Sequence, residues 1–315
     1  MKTFICIPSV MKMIKYELKK LYSAKALIIL TTALICLYAL LCAVIKPDLS
    51  KYTFDTEIYK MYISKYGGEY SQQTYNNMCA ELEKQQKIAQ QDLSGSSYTA
   101  DEYMFLSEQI TAAEHKAQAL EAVIDRYMSL KSGQQLVYDL EFTEFTNGYL
   151  KKFGTLLCLI SVTVITLRLS LSDYKCGMES IMFTTCSGKR NILRTKLIIS
   201  MIAAAIISLL FGLCETIIIY SRDFGDISVP ICSYGGFEGC KYDISLRSAL
   251  YLSVIIKTIG CMMYSALLFV ISRLVKNEVV SAMSLMGIYA LIGQLDGTLS
   301  YINLYAIING IYWFK

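Results

Sequence analysis

Two charges interrupt otherwise apolar stretches: Glu215 within 197–220 (LIISMIAAAIISLLFGLCETIIIY) and Lys257 within 248–272. A charge at mid-bilayer costs roughly 2.5–3.5 kcal/mol even on insertion scales, so such groups usually face protein or water. Glu215 lies about five residues from the outer end of its stretch and Lys257 about ten from that of its own. At ~1.5 Å per residue their depths differ by about 7 Å. Three roles stay open for them: a mutual ion pair, a polar path for a substrate, and snorkelling. A second set of charges is the basic run Lys189, Arg190, Arg194 and Lys196, with Glu179 upstream of it. Such a run suits docking on an acidic protein surface or contact with anionic lipid head groups. Cys232 and Cys240 flank Ser233-Tyr234-Gly235-Gly236-Phe237, a turn that permits a disulfide in an oxidising exterior. Under anaerobic conditions that drive is removed.

Other chemistry is missing. There is no C-x-x-C, and a single histidine cannot build a His-based metal cluster. The templates H-E-x-x-H, G-x-S-x-G and G-x-G-x-x-G do not occur. Gly188-Lys189 lacks the glycine five residues earlier that a P-loop needs, because Phe183 stands there. The reading is therefore no enzyme, with no catalytic, cofactor-binding or metal-binding residues. The net charge of +4 is scattered rather than gathered in a basic patch, which argues against nucleic acid as a partner. Of eleven cysteines, Cys36, Cys42, Cys158, Cys214 and Cys261 lie in apolar stretches, where cysteine acts as a small hydrophobe.

The elements that must position these groups are membrane helices. The chain is 54% hydrophobic and 18% charged, against about 45–50% and 25% in soluble domains. Mean hydropathy is +0.42. Residues 26–45 carry no charge and are long enough for the ~30 Å hydrocarbon core. The run is about twice the length of a signal-peptide core and no small-x-small site follows, so it reads as an uncleaved first span. Further spans are expected near 153–171, 197–220, 248–272 and 279–295, with 299–314 as a short sixth candidate. Residues 11–25 place Ile14, Leu18, Leu21 and Tyr22 opposite Lys12, Lys15, Lys19 and Lys20. That is either a basic amphipathic surface helix or simply the positive flank of the first span. Met11 and Met13 are alternative starts.

Residues 46–152 are polar, with 11 Lys/Arg against 16 Asp/Glu. Thr99 and Glu102 have capping-box spacing. From there Tyr103, Leu106, Ile110, Ala113, Ala117, Leu120, Ile124 and Tyr127 recur at alternating steps of three and four, a heptad seam. A weaker pattern around Met78, Cys79, Leu82 and Ala89 precedes Ser94-Gly95-Ser96-Ser97, so an antiparallel helical hairpin is expected. His115 falls on its hydrophilic side. Six Lys/Arg lie in 2–25, six from Arg168 to Lys196 and two in 273–278, whereas 221–247 has three against four acids. The positive-inside rule then puts the N-terminus in the cytoplasm and 46–152 outside. The expected fold is all-α: a multi-pass bundle of five to six spans in the cell membrane. Its domains are 1–45, an extracytoplasmic helical insertion at 46–152, and 153–315 with a cytoplasmic loop at 172–196.

The segment 173–197, DYKCGMESIMFTTCSGKRNILRTKL, carries a resemblance. An acid, Gly177, Glu179, the apolar triplet ending at Phe183, Thr184-Thr185, a turn, Lys189-Arg190, Leu193 and Lys196-Leu197 is similar to the loop of ABC-2-type permeases, the membrane subunits of ATP-binding-cassette transporters. Cys186-Ser187-Gly188 replaces the proline frequent there. The order of first span, large outer domain, second span, loop and third span is similar as well. The resemblance implies that this loop and the N-terminal amphipathic helix dock a separate cytoplasmic ABC ATPase. Gly177, Glu179, Phe183, Lys189, Arg190 and Arg194 would form the coupling loop. It also implies an exporter paired with a second permease, as homo- or heterodimer, in contact with membrane lipid. The chain ends early for that family, so a truncated C-terminus is an expectation too. The other reading is a membrane-anchored sensor or interaction protein acting through its extracytoplasmic domain.

Overall fold

The computed structural model describes residues 15, 25–44, 46–91, 99–131, 133–146, 153–175, 188–222, 224, 227–237, 240, 242–294 and 314. Its elements are α1 (Lys25–Val44), α2 (Thr56–Tyr66), β1 (Gly68–Glu69), α3 (Gln72–Ala89), α4 (Ala100–Met128), β2 (Gln135–Leu136), α5 (Leu140–Glu144), α6 (Thr155–Lys175), α7 (Gly188–Ser221), α8 (Leu246–Val275) and α9 (Glu278–Gln294). The surface helix expected at 11–25 lies outside the described residues apart from Lys15 and Lys25. So does the sixth span at 299–314, apart from Phe314. The chain divides into two compact units. One takes Met1–Lys46, Asn147–Ser221 and Leu250–Trp313; the other takes Pro47–Thr146, Arg222–Ala249 and Phe314–Lys315.

Among the described residues three helices are long and apolar enough to cross a membrane: Thr155–Tyr174, Asn191–Ser221 and Leu246–Val275. Ile28–Val44 and Glu278–Gly287 are shorter apolar helices. Within its most apolar stretch α6 is 67% buried, against 39% for α7 and 44% for α8, so α6 is the spine of this membrane unit. It packs on α1, α7 and α9. Helix takes up both ends of the expected loop 172–196, since α6 runs to Lys175 and α7 begins at Gly188. With 34 residues, α7 is about 51 Å long and exceeds the ~30 Å hydrocarbon thickness.

The second, polar unit is organised by α4. The Thr99–Glu102 capping box is present in full, Thr99 N donating to Glu102 Oε2 at 2.9 Å and Thr99 Oγ1 accepting from Glu102 N at 3.4 Å. α3 packs along α4, as the hairpin reading expects, and α2 packs on α4 as well. That third helix carries its apolar face on tyrosines, with Tyr59, Tyr62 and Ile63 buried, and so lacks the aliphatic pattern that announces a helix. Cover from two sides widens the buried arc of α4 beyond a heptad stripe. Ala119 and Val123, off the seam, are fully buried, whereas Tyr103, on it, is 52% exposed. β1 and β2 pair antiparallel, Gly68 opposite Leu136, and Gly68 has φ +124°, which only glycine adopts without strain.

The second segment of this unit is stitched to the first. Arg126 Nη2 donates to the Ser233 carbonyl at 2.9 Å and lies 3.5 Å from Asp139, which accepts from Gly235 N at 2.7 Å. Phe142 packs edge-on against Tyr234 and Phe224. Residues 47–146 and 222–249 therefore fold as one body.

Two outcomes test this packing. Leu120→Ala removes a side chain with no exposed area and should cost the polar unit about 2–5 kcal/mol, read as a lower midpoint in limited proteolysis. Glu108→Lys, at an exposed site, should leave that midpoint in place. Equal sensitivity of the two variants would refute the assigned core. Hydrogen bonds from the Thr99 backbone and hydroxyl hold the Glu102 carboxyl below the usual glutamate range. The stability this supplies is present above the ordinary glutamate pKa and is lost as pH falls through the depressed value. Acid should thus unprotect the first turn of α4 toward amide exchange, and Glu102→Gln should remove that pH dependence.

Candidate functional site

A carboxylate and an ammonium in a helix bundle stay charged only if they meet. Among the described residues of the membrane unit two such pairs are formed. Glu215 on α7 pairs with Lys257 on α8, whose side chains are 13% and 2% exposed. The shared carboxylate oxygen also accepts from the Tyr38 hydroxyl of α1 at 3.2 Å. Tyr38 is fully buried, its ring 5.5 Å from that of Phe211. This contact needs a glycine beside it. A Cβ at position 154 would stand 2.6 Å from the Tyr38 hydroxyl and 3.0 Å from the Glu215 oxygen. Of the roles open to Glu215 and Lys257, the structure realises the ion pair, with Tyr38 as a third member.

The second pair joins Asp173 at the end of α6 to Lys196 near the start of α7, 4% and 1% exposed. The Lys196 ammonium also donates to the Leu169 carbonyl at 3.3 Å and to Ser172 Oγ at 3.5 Å. The ammonium lies against the last two turns of α6, toward the negative end of that helix's dipole. Lys196 is thus committed inside the bundle and does not belong to a docking face. Arg194, two residues earlier, is exposed. Lys189 and Arg190 fall in the first turn of α7. Gly177, Glu179 and Phe183 lie outside the described residues. The ends of the expected coupling loop are nevertheless placed: α6 and α7 are pinned together by Asp173–Lys196 on either side of 176–187.

Between the two ion pairs runs a ladder of small polar contacts from α6 to α8. Cys158 and Cys261 sulfurs lie 3.8 Å apart, Thr163 and Tyr264 hydroxyls 2.9 Å, and Thr166 and Ser265 hydroxyls 2.9 Å. Ser272 donates to Ser170 Oγ at 2.7 Å, and Arg273 Nη1 to the Ser170 carbonyl at 3.1 Å. Residue numbers rise together on both helices, so α6 and α8 run parallel. From Cys158 to Asp173 this covers about 22 Å of helix. Interhelical side-chain hydrogen bonds in membranes are worth on average about 0.6 kcal/mol and at most about 2.

In the polar unit, Cys232 and Cys240 occupy the Gly-rich turn as free thiols, both half-buried. Burial pushes the Cys240 thiol up, and its sulfur donates to the Tyr242 carbonyl at 3.6 Å.

Sequence reasoning missed members of these networks, Tyr38, Asp173, Lys196 and Arg273 among them. Tyr38 had a signal, since a tyrosine in the middle of an apolar run must find a hydrogen-bond partner. Asp173 and Arg273 read as flanking charges, and only the packing of α6 against α7 and α8 shows what they meet.

Removing one member of a buried pair leaves the other uncompensated, at a cost of about 3–5 kcal/mol. Lys257→Met alone and Glu215→Gln alone should each lower the melting temperature of the detergent-solubilised chain markedly. The double variant should recover much of the loss. Single variants that melt like the parent would show that the pair is not structural. Gly154→Ala should reproduce part of the effect with no change of charge.

Compared with known proteins, the chain matches no protein-family model, no curated protein and no solved structure.

Proposed function

We propose that this chain is the membrane-spanning permease subunit of an ABC-type exporter of the ABC-2 kind, driven by a separate cytoplasmic ATPase. The observation that carries the reading is the fixed frame around 176–187. A motor subunit must push on an element whose ends do not yield, and the buried Asp173–Lys196 pair ties the ends of α6 and α7 together. Gly177, Glu179 and Phe183 within that segment, with Lys189, Arg190 and Arg194 leading into α7, then form the docking surface. Hydrolysis belongs to the partner, and a second permease completes the assembly in the cell membrane.

In this reading α1 and α9 also span, giving five spans with a sixth near 299–314, and the N-terminus is cytoplasmic. Two facts support the arrangement. Lys and Arg gather in 2–25, 168–196 and 273–278. Residues 47–146 and 222–249 share one compact unit, as they must if α6 and α7 cross the membrane and return the chain to the same side. A membrane-anchored interaction protein is the second reading, favoured by the size and exposed apolar surface of the polar unit.

Orientation is tested by a cysteine placed at Ser96, which an impermeant reagent added outside should modify, and one at Ser187, which it should spare. The reverse pattern would overturn the topology. For coupling, Glu179→Lys with Arg190→Glu keeps the number of Lys/Arg near the spans, so membrane abundance should hold. Single surface pairs are worth under about 1 kcal/mol, but an interface of several charges discriminates strongly against reversal. An ATPase should therefore copurify with the parent chain and be lost from the double variant. Retained association would leave these residues as lipid contacts, and a parent chain that brings down no ATPase would remove the transport reading.

A further inference from the structure

Independently of transport, we infer that the first turns of α4 are a docking surface for a basic amphipathic helix of another polypeptide. The register of the hairpin exposes this stretch. Ser71 N donates to the Tyr127 hydroxyl at 2.6 Å, and the Tyr75 hydroxyl contacts Met128 sulfur at 3.7 Å, so the start of α3 lies against the end of α4. α3 has 18 residues and α4 has 29. About 16 Å of α4 therefore extends beyond the end of α3.

That overhang is apolar where solvent should meet polar side chains. Tyr103, Met104 and Phe105 are consecutive and 52%, 62% and 61% exposed. Leu106 and Ile110, half-buried, carry the seam onward toward the core. Met104 and Phe105 share one face of the helix with Asp101 and Glu108, at steps of three and four, whereas Tyr103 points to the other side. An exposed apolar patch on one face marks an interaction site more often than plain solvent-facing helix.

Charge decides the partner. Asp101, Glu102, Glu108 and Glu114 are all exposed, and no Lys or Arg occurs from Ala100 to His115. A second copy of the same surface would set acid against acid, and an anionic lipid surface would be repelled in the same way. A helix with one apolar stripe and lysines or arginines beside it meets both demands, apolar side chains on Met104 and Phe105 and cations on Asp101 and Glu108 of the same face.

The test uses the full chain in phosphatidylcholine nanodiscs and a synthetic three-heptad Leu/Lys peptide. A Leu/Glu peptide of the same pattern and empty nanodiscs serve as references. The Leu/Lys peptide should bind saturably above the empty-disc level, and added salt should weaken it. The Leu/Glu peptide should not bind. Met104→Ser with Phe105→Ser, and separately Asp101→Lys with Glu108→Lys, should each weaken binding by about tenfold or more. All four sites are exposed, so both variants should melt with the parent. Absence of binding, equal binding to both peptides, or binding unchanged in both variants would overturn the proposal. So would a parent oligomer that the Met104/Phe105 variant splits, since a second copy would then cover this face.

Discussion

Hydrocarbon offers no partner to a charge, and the membrane unit is arranged around that fact. Among the described residues, Asp173, Lys196, Glu215 and Lys257 lie in or beside its apolar helices with little exposure, and they form two pairs at different levels of the bundle. Each pair spans two helices: Asp173–Lys196 ties α6 to α7, and Glu215–Lys257 ties α7 to α8. Apolar surface alone could not do this, because lipid tails are as apolar as leucine and helix faces slide freely against either. The ion pairs, and the hydroxyl and thiol contacts between them, fix which helix meets which and in what register.

The polar unit solves a different problem. Without lipid, burial of apolar side chains drives its folding, and α4 supplies the surface on which the rest assembles. Toward its Met128 end it is covered by α2 and α3. The charged contacts there also join chain segments distant in sequence. Arg126 reaches Ser233 and Asp139, and Asp139 receives Gly235, so a helix, the loop after it and a turn nearly a hundred residues later converge on one carboxylate.

Some of this was legible in the sequence, and the division follows the physics. The spans near 153–171, 197–220 and 248–272 announce themselves because hydrophobicity over twenty residues is a sum, insensitive to any one position. The Thr99–Glu102 cap is equally local: two residues three apart, satisfying their own backbone. The heptad seam was readable where one partner covers α4 and misleading where two do, which is why Ala119 and Val123 went unmarked. α2 was invisible, since its buried face consists of Tyr59, Tyr62 and Ile63 in a polar segment. Of the buried charges, Glu215 and Lys257 were found by their apolar surroundings. Lys196 was not, because a lysine beside Arg194 at the edge of a span looks like every other positive flank until α6 is placed against it.

Magnitudes then decide which interfaces hold and which yield. Breaking a buried ion pair costs about 3–5 kcal/mol, whereas the average interhelical hydroxyl contact is worth about 0.6. Helix α7 is bound by an ion pair to α6 and by another to α8. The ladder between α6 and α8 is made of contacts that can exchange partners singly at small cost. α1 packs on α6 and α7 with much of its surface left exposed. Tyr38 and Cys42 are its fully buried apolar side chains among the described residues, while Ile29, Leu40 and Val44 are each at least 60% exposed. Its Tyr38 hydroxyl shares the oxygen that Lys257 already occupies. A hydrogen bond to a charged group is worth about 1.5–3 kcal/mol, less than either ion pair. A displacement of α1 that gives up the Tyr38 hydrogen bond therefore leaves both ion pairs intact.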